Sequence, residues 1–327
     1  MIKYLFLILV TLLSGCTTDF SGLEKPEESV YIRFSSRADV KTDIEEATYA
    51  DCHNTRSEYA TQGHSVGILG IATHKELMHQ TTLAGRDATS LREWMANDVY
   101  YHNPENGDIV HNDNQRPLFP IDKGSAIVAY AYMPHTNRVM YDADDCYIPI
   151  DLMADSAITD WRYSGKTAMS KDVYRKEGTF VLDTFKHAMT RLDLVLHSNV
   201  NRTNKQVKIL EIDFGIYSHG QGKLSLNNGK VTMDTSTYVP NTVHHLQRRP
   251  GHVFSLYDDL KDSIHTERYY LLPYTEIHDL RIVGLWNDKD TITYEYVISD
   301  STQWNSNNLH PGKRSTINVK SIKYIYK

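Results

Sequence analysis

Short segments in which apolar and polar residues alternate recur along the whole chain, and this period of two constrains the fold more than any other feature. In residues 29–36, Val30, Ile32 and Phe34 alternate with Tyr31, Arg33 and Ser35, which puts one set on each face of a half-buried strand. Residues 65–73 carry Val66, Ile68, Leu69 and Ile71, interrupted by Gly67 and Gly70; glycines inside a strand predict a bulge or a close backbone approach. A third strand runs through Ala126, Ile127, Val128 and Tyr130 to Met133-Pro134. Alternation returns at 207–216, on both sides of Asp288-Lys289-Asp290, and at 317–326, while Asn228-Gly229 between apolar runs predicts a tight hairpin. In 179–196 two periods overlap. Leu192, Leu194 and Leu196 alternate, whereas Phe185, Ala188, Met189 and Leu192 fall at helical spacing, so a turn of helix feeding a strand is expected. Residues 155–177 read as a polar stretch closed by Gly178. Many short strands and few helical segments predict a mainly β protein built of β-sandwiches.

The N-terminus fixes the compartment. Lys3 precedes an apolar run from Tyr4 to Leu13, and Leu13-Ser14-Gly15-Cys16 follows. A charged start, a short apolar core and small residues before the cut form a secretory signal, and the cysteine makes the four residues a bacterial lipobox. The run is shorter than the ~20 residues that span a bilayer. Residues 1–15 are therefore expected to be removed and Cys16 to be lipidated, with acyl chains as the anchor to the outer membrane. The acidic, proline-containing segment 16–28 is expected to be a flexible tether.

At about 150 residues per domain, the remaining chain predicts two domains, 29–177 and 178–327. The formal charge of −6 and the lack of a long basic run leave no electrostatic footprint for nucleic acid. Of three cysteines, Cys16 carries the lipid; Cys52 and Cys146 form either a disulfide, which an extracytoplasmic compartment permits, or two buried free thiols.

Gly63-His64-Ser65-Val66-Gly67 has the letters of a nucleophile elbow, but that motif needs a strand before the serine and a helix after it. Here loop-like residues precede Ser65 and strand-like residues follow, so it is expected to open a core strand. His74 and His79 are five apart and miss the i, i+4 face of a zinc helix; His244 and His245 are adjacent and cannot share a strand face. Asp142, Asp144 and Asp145 lack EF-hand spacing. No metal, cofactor or catalytic residue is assigned. His187 and Arg191 are expected to hydrogen-bond at the entry to a core strand. Tyr100-Tyr101, Trp161, Tyr269-Tyr270 and Trp304 suit either a sugar-stacking platform or sandwich cores, and cores are the preferred reading.

Several stretches resemble the fimbrillin (Mfa-like) lipoproteins of Bacteroidales. They are Phe185-Lys186-His187-Ala188-Met189-Thr190-Arg191-Leu192-Asp193-Leu194, Gly222-Lys223-Leu224-Ser225-Leu226, and Leu309-His310-Pro311-Gly312-Lys313-Arg314-Ser315-Thr316-Ile317-Asn318-Val319. In the first half, Val66-Gly67-Ile68-Leu69-Gly70 and Ala129-Tyr130-Ala131-Tyr132-Met133-Pro134 continue the likeness. The resemblance implies two tandem transthyretin-like β-sandwich domains and a non-enzymatic structural or adhesive subunit of a cell-surface fimbrium. It also implies removal of the N-terminal strand, with Val30, Ile32 and Phe34, by a cut after Arg37 or, less well, Arg33. A strand from another fimbrial subunit then fills the opened groove. Ile317 and Val319 are needed for the chain's own last strand, which leaves Ile322, Tyr324 and Tyr326 as the alternating donor face. A tip or anchor position is expected on that ground, with a host or bacterial surface ligand as a further partner. The alternative is a surface glycan-binding lipoprotein.

Overall fold

The computed structural model describes residues 30–36, 64–86, 95–103, 107–111, 117–151, 159–197, 207–217, 221–233, 236, 244–248, 254–255, 264–286, 290–297, 310–312 and 314–319. In the first half the strands are β1 (Phe34–Ser36), β2 (His64–His74), β3 (Met95–His102), β4 (Asp108–His111), β5 (Ser125–Met133), β6 (Met140–Tyr141), β7 (Cys146–Asp151) and β8 (Arg162–Ser170). Helix α1 (Lys171–Glu177) then leads into β9 (Phe180–Leu182) and β10 (Lys186–His187). The second half supplies β11 (Thr190–His197), β12 (Val207–Tyr217), β13 (Gln221–Ser225), β14 (Val231–Met233), β15 (His244–Arg248), β16 (Phe254–Ser255), β17 (Ile264–Leu271), β18 (Glu276–Trp286), β19 (Asp290–Val297) and β20 (Arg314–Val319). The protein is mainly β, as its alternation predicts.

The dominant sheet has eight strands in the order β10-β8-β5-β2-β3-β4-β1-β9. Its sequence explains its centre. All nine residues of β5 are buried, because Ile127, Ala129, Ala131 and Met133 enter one core while Val128, Tyr130 and Tyr132 enter another. A strand covered on both faces needs a continuous apolar run rather than alternation. The neighbouring β2 divides in the same way, with Val66 and Ile68 on one side and Leu69 and Ile71 on the other. Gly67 is required by a close approach: a Cβ there would overlap the Tyr132 ring. The sheet curls, and its β9 edge returns toward β8, where the Asp183 N–H donates to Thr167 Oγ1 at 3.1 Å. The curl encloses the core that holds Ile32, Phe34, Tyr100, Ile109, Phe119 and Phe180.

Residues 162–177, within the stretch expected to be merely polar, form β8 and α1. Ser170 caps the helix by accepting from the Val173 N–H, and Gly178, at φ +73°, ends it by donating to the Tyr174 carbonyl. Such caps satisfy backbone groups that a seven-residue helix otherwise leaves open. The overlapping periods of 179–196 resolve into strands; the helical turn lies earlier, before Gly178.

Apart from β6 and β7, the strands of the remaining sheets all follow His187. Strands β17-β11-β20 form one sheet, β15-β12-β18-β19 with β16 beside β12 form another, and β14-β13-β7-β6 form a third. The last draws on both halves, since Ile148 of β7 pairs with Leu224 of β13. The expected division at residue 178 thus falls between α1 and two strands that complete the first sheet. The Asn228-Gly229 hairpin joins β13 to β14, with Leu224 opposite Val231 and Gly229 at φ +70°, a conformation that glycine adopts without steric cost. Strands β18 and β19 pair antiparallel around 287–289 as expected.

Candidate functional site

Residues 30–36 lie inside the wall of the curled sheet rather than along its rim. On one side Phe34 and Ser35 pair antiparallel with Ile109 and Asp108, and Tyr31 bridges to Leu118. The Ile32 N–H donates to the Pro117 carbonyl at 2.8 Å, and the Phe119 N–H to that of Val30 at 2.9 Å. On the other side Phe34, Ser35 and Ser36 run parallel to Phe180, Val181 and Leu182, and the Phe180 N–H donates to the Arg33 carbonyl at 2.7 Å. Further up, the Tyr174 phenol donates to the Tyr31 carbonyl at 2.7 Å and accepts from the Arg33 N–H at 2.8 Å.

The side chains divide as the alternation predicts. Ile32 and Phe34 are buried, and Val30 packs partly buried against the same core. The Phe34 ring meets Tyr100 edge-on at 5.5 Å and Phe180 at 5.2 Å, an arrangement favoured beyond simple burial. Ser36, also turned inward, places its Oγ 2.8 Å from His102 Nε2. Tyr31 and Arg33 face solvent. The segment occupies a slot between β4 and β9, floored by Tyr100, Ile109, Phe119, Tyr174 and Phe180.

Arg33 has an exposed side chain, but its amide and carbonyl are both bonded within the slot. Arg37, Cys16, Cys52, Ile322, Tyr324 and Tyr326 lie outside the described residues. Ile317 and Val319 do serve the chain's own last strand: β20 runs parallel to β11, Ile317 opposite Leu194 and Val319 opposite Leu196. Cys146 is a buried free thiol whose Sγ lies 3.7 Å from the Leu83 carbonyl oxygen. Burial, with Asp145 and Asp142 nearby, pushes that thiol up to about 12.

The other candidates resolve into structural roles. Ser65 sits in β2, and its Oγ accepts from the His135 N–H at 3.1 Å; a strand follows it, where an elbow needs a helix. Among the described residues no cluster of His, Cys, Asp or Glu has the makings of a metal site. Asp142 Oδ1 accepts from the Asp144 and Asp145 amides at 3.1 and 2.7 Å, and Asp145 receives Asn227 Nδ2 at 2.8 Å, so this acidic turn is tied to the 224–231 hairpin. His187 Nδ1 and Arg162 Nη2 both reach Asp160 at 2.8 Å. Burial pushes the Asp160 carboxyl up, but Arg162 and His187 outweigh it and hold it below the ordinary range. Arg191 grips Asp193 with two bonds of 2.7 and 2.8 Å, both residues buried. Trp161, Tyr100, Tyr269 and Tyr270 are core residues, which removes them from any sugar platform; Trp304 lies outside the described residues.

Sequence reading missed Tyr174, Phe119 and Phe180 as parts of the slot. A single aromatic in a polar heptapeptide, Tyr174 in Lys-Asp-Val-Tyr-Arg-Lys-Glu, was the available signal.

The family profile described as fimbrillin-like matches residues 55–323. Among solved structures, a candidate cell adhesion protein from Bacteroides uniformis aligns over 91% of this chain and 96% of its own at 14% identity, with a TM-score of 0.52. A fimbrial protein from Bacteroides vulgatus aligns over 91% and 97% at 13% identity, with a TM-score of 0.51. At such identities the likeness is one of fold. No curated protein matches the chain.

Proposed function

The chain belongs to the fimbrillin-like family, and from that premise we propose that it is an accessory subunit of a cell-surface fimbrium, at the tip or the anchor. Its task is structural or adhesive, without a chemical reaction. The observation that carries this reading is the position of residues 30–36: an inward face of Val30, Ile32 and Phe34 fills a slot whose two walls are backbone edges. Lipid on Cys16 holds the chain at the outer membrane. A cut after Arg37 then frees the tether together with the strand, and a strand from another subunit replaces it. Backbone bonds supply affinity and the inward pockets supply fit.

The cut falls at Arg37 rather than Arg33. A protease needs an extended segment whose amides and carbonyls are available, and those of Arg33 are engaged on one flank by Tyr174 and Phe180. Arg37 follows Ser36, the last residue of β1. Among the residues that β20 does not use, Ile322, Tyr324 and Tyr326 alternate as a donor face. Ile317 and Val319 are committed to pairing with β11 and are not part of that face.

The test is assembly. Surface material from cells carrying the chain, run on gels without heating, is expected to show the subunit in laddered high-mass species that collapse on boiling. A chain that migrates only as a monomer in both lanes contradicts the proposal.

A further inference from the structure

Strand β9 begins too late to pair with the whole of residues 30–36. Phe180 stands opposite Phe34 and bonds to the Arg33 carbonyl. Two residues back, the ladder would need the backbone of Gly178 opposite Ile32. That amide is committed elsewhere: as the cap of α1 it donates to the Tyr174 carbonyl at 2.7 Å. In a parallel ladder, one residue's N–H and C=O serve the carbonyl and the amide that flank the residue opposite. Tyr174 supplies both from a single atom. Its phenolic oxygen donates to the Tyr31 carbonyl at 2.7 Å and accepts from the Arg33 amide at 2.8 Å, the two groups that flank Ile32.

We infer that the Tyr174 phenol is a surrogate ladder residue that latches the slot and sets the register of whichever strand occupies it. The inference rests on the strand-slot reading above. Tyr174 is a positioning residue held in two ways. Its ring is buried and packs against Phe119 at 5.0 Å. One turn earlier in the helix, Lys171, also buried, anchors α1 by donating to the Pro120 and Ile121 carbonyls at 3.1 and 3.2 Å. The oxygen is therefore fixed in space before any strand arrives.

The recognised partner follows from this geometry. It is an extended segment with a free amide at the position of Arg33, which excludes proline there. An aliphatic residue belongs at the position of Ile32 and an aromatic one at that of Phe34, between Tyr100 and Phe180. A small hydroxyl residue suits the position of Ser36, beside His102. A strand slipped by one residue puts its outward set into these pockets and also faces the phenol with mismatched backbone groups.

The experiment is hydrogen exchange on the full chain, comparing wild type with Tyr174→Phe, which keeps the ring and removes only the bridging oxygen. Losing two hydrogen bonds predicts exchange about tenfold faster or more across residues 30–36, with residues 125–133 unchanged. Unchanged protection at 30–36 overturns the inference. So does a loss spread equally over 30–36 and 125–133, since Tyr174 would then be an ordinary core residue. Exchange is read on the unassembled chain, so failure of the latch and failure of fimbrial assembly are separate results.

Discussion

Truncating Phe34 to alanine tests whether residues 30–36 are a built part of the wall. The side chain is 3% exposed and lies between the rings of Tyr100 and Phe180, with Ile109 opposite it on β4. Removing a buried phenylalanine costs about 3–5 kcal/mol, because transfer free energy is lost and a cavity remains. At about 1.5 °C per kcal/mol for a chain of this size, the melting temperature should fall by about 5–8 °C. Tyr31→Ala is the internal control. It lies on the same segment but points outward at 57% exposure, and a surface change of that kind stays within about 0.5 kcal/mol. Thermal unfolding of the three chains, followed by circular dichroism at one pH and concentration, gives the comparison. If Phe34→Ala melts within about 2 °C of Tyr31→Ala, the segment is a surface strap, and the reasoning that its removal opens the core fails.

Other outcomes follow from the same physics. Gly67→Ala should destabilise by about 1–3 kcal/mol, because its Cβ meets a Tyr132 ring whose hydroxyl is fixed by Asn97 Oδ1 and the Thr136 carbonyl; a denaturant titration unchanged from wild type would contradict this. Asp160→Asn removes the carboxylate that Arg162 and His187 share, and breaking a buried pair costs about 3–5 kcal/mol at neutral pH. The folded protein holds this carboxyl below its ordinary value, so its stabilisation is present above the unfolded value of about 4 and is lost as pH falls through the lower folded value. The melting difference between wild type and variant should therefore be widest near pH 6–7 and narrow below about pH 4; a constant gap would refute that assignment. Arg37→Ala should leave the surface chain uncleaved and full length on an immunoblot, whereas Arg33→Ala should be processed normally.

What the sequence made legible was what periodicity encodes. Alternation at 30–36 correctly named Ile32 and Phe34 as inward residues, and the apolar run of β5 marked a strand, but not that both of its faces are covered. Asn228-Gly229 marked the hairpin because its backbone conformation demands those residue types. Alternation assigns faces but not neighbours, so it did not reveal that 30–36 sits between β4 and β9. Strand β8 was hidden because its sequence, Arg-Tyr-Ser-Gly-Lys-Thr-Ala-Met-Ser, has few large apolar residues and is half exposed along much of its length. Helix α1 was hidden because its buried lysine, Lys171, is satisfied by two carbonyls from a loop 50 residues away in sequence. Tyr174 left no periodic trace, since a side chain that substitutes for backbone follows no repeat. The shared sheet of β7 and β13 was likewise invisible, because pairing between distant strands is set by the assembled core.

The most direct test of the account is the N-terminus of the chain in material sheared from the cell surface, read by N-terminal sequencing and intact mass. A chain that has surrendered its first strand begins at Ala38, immediately after Arg37, and lacks the lipidated cysteine. That is the predicted result. If the whole population instead begins at Cys16 and keeps residues 30–36, the slot is never vacated, and strand replacement at this site is excluded.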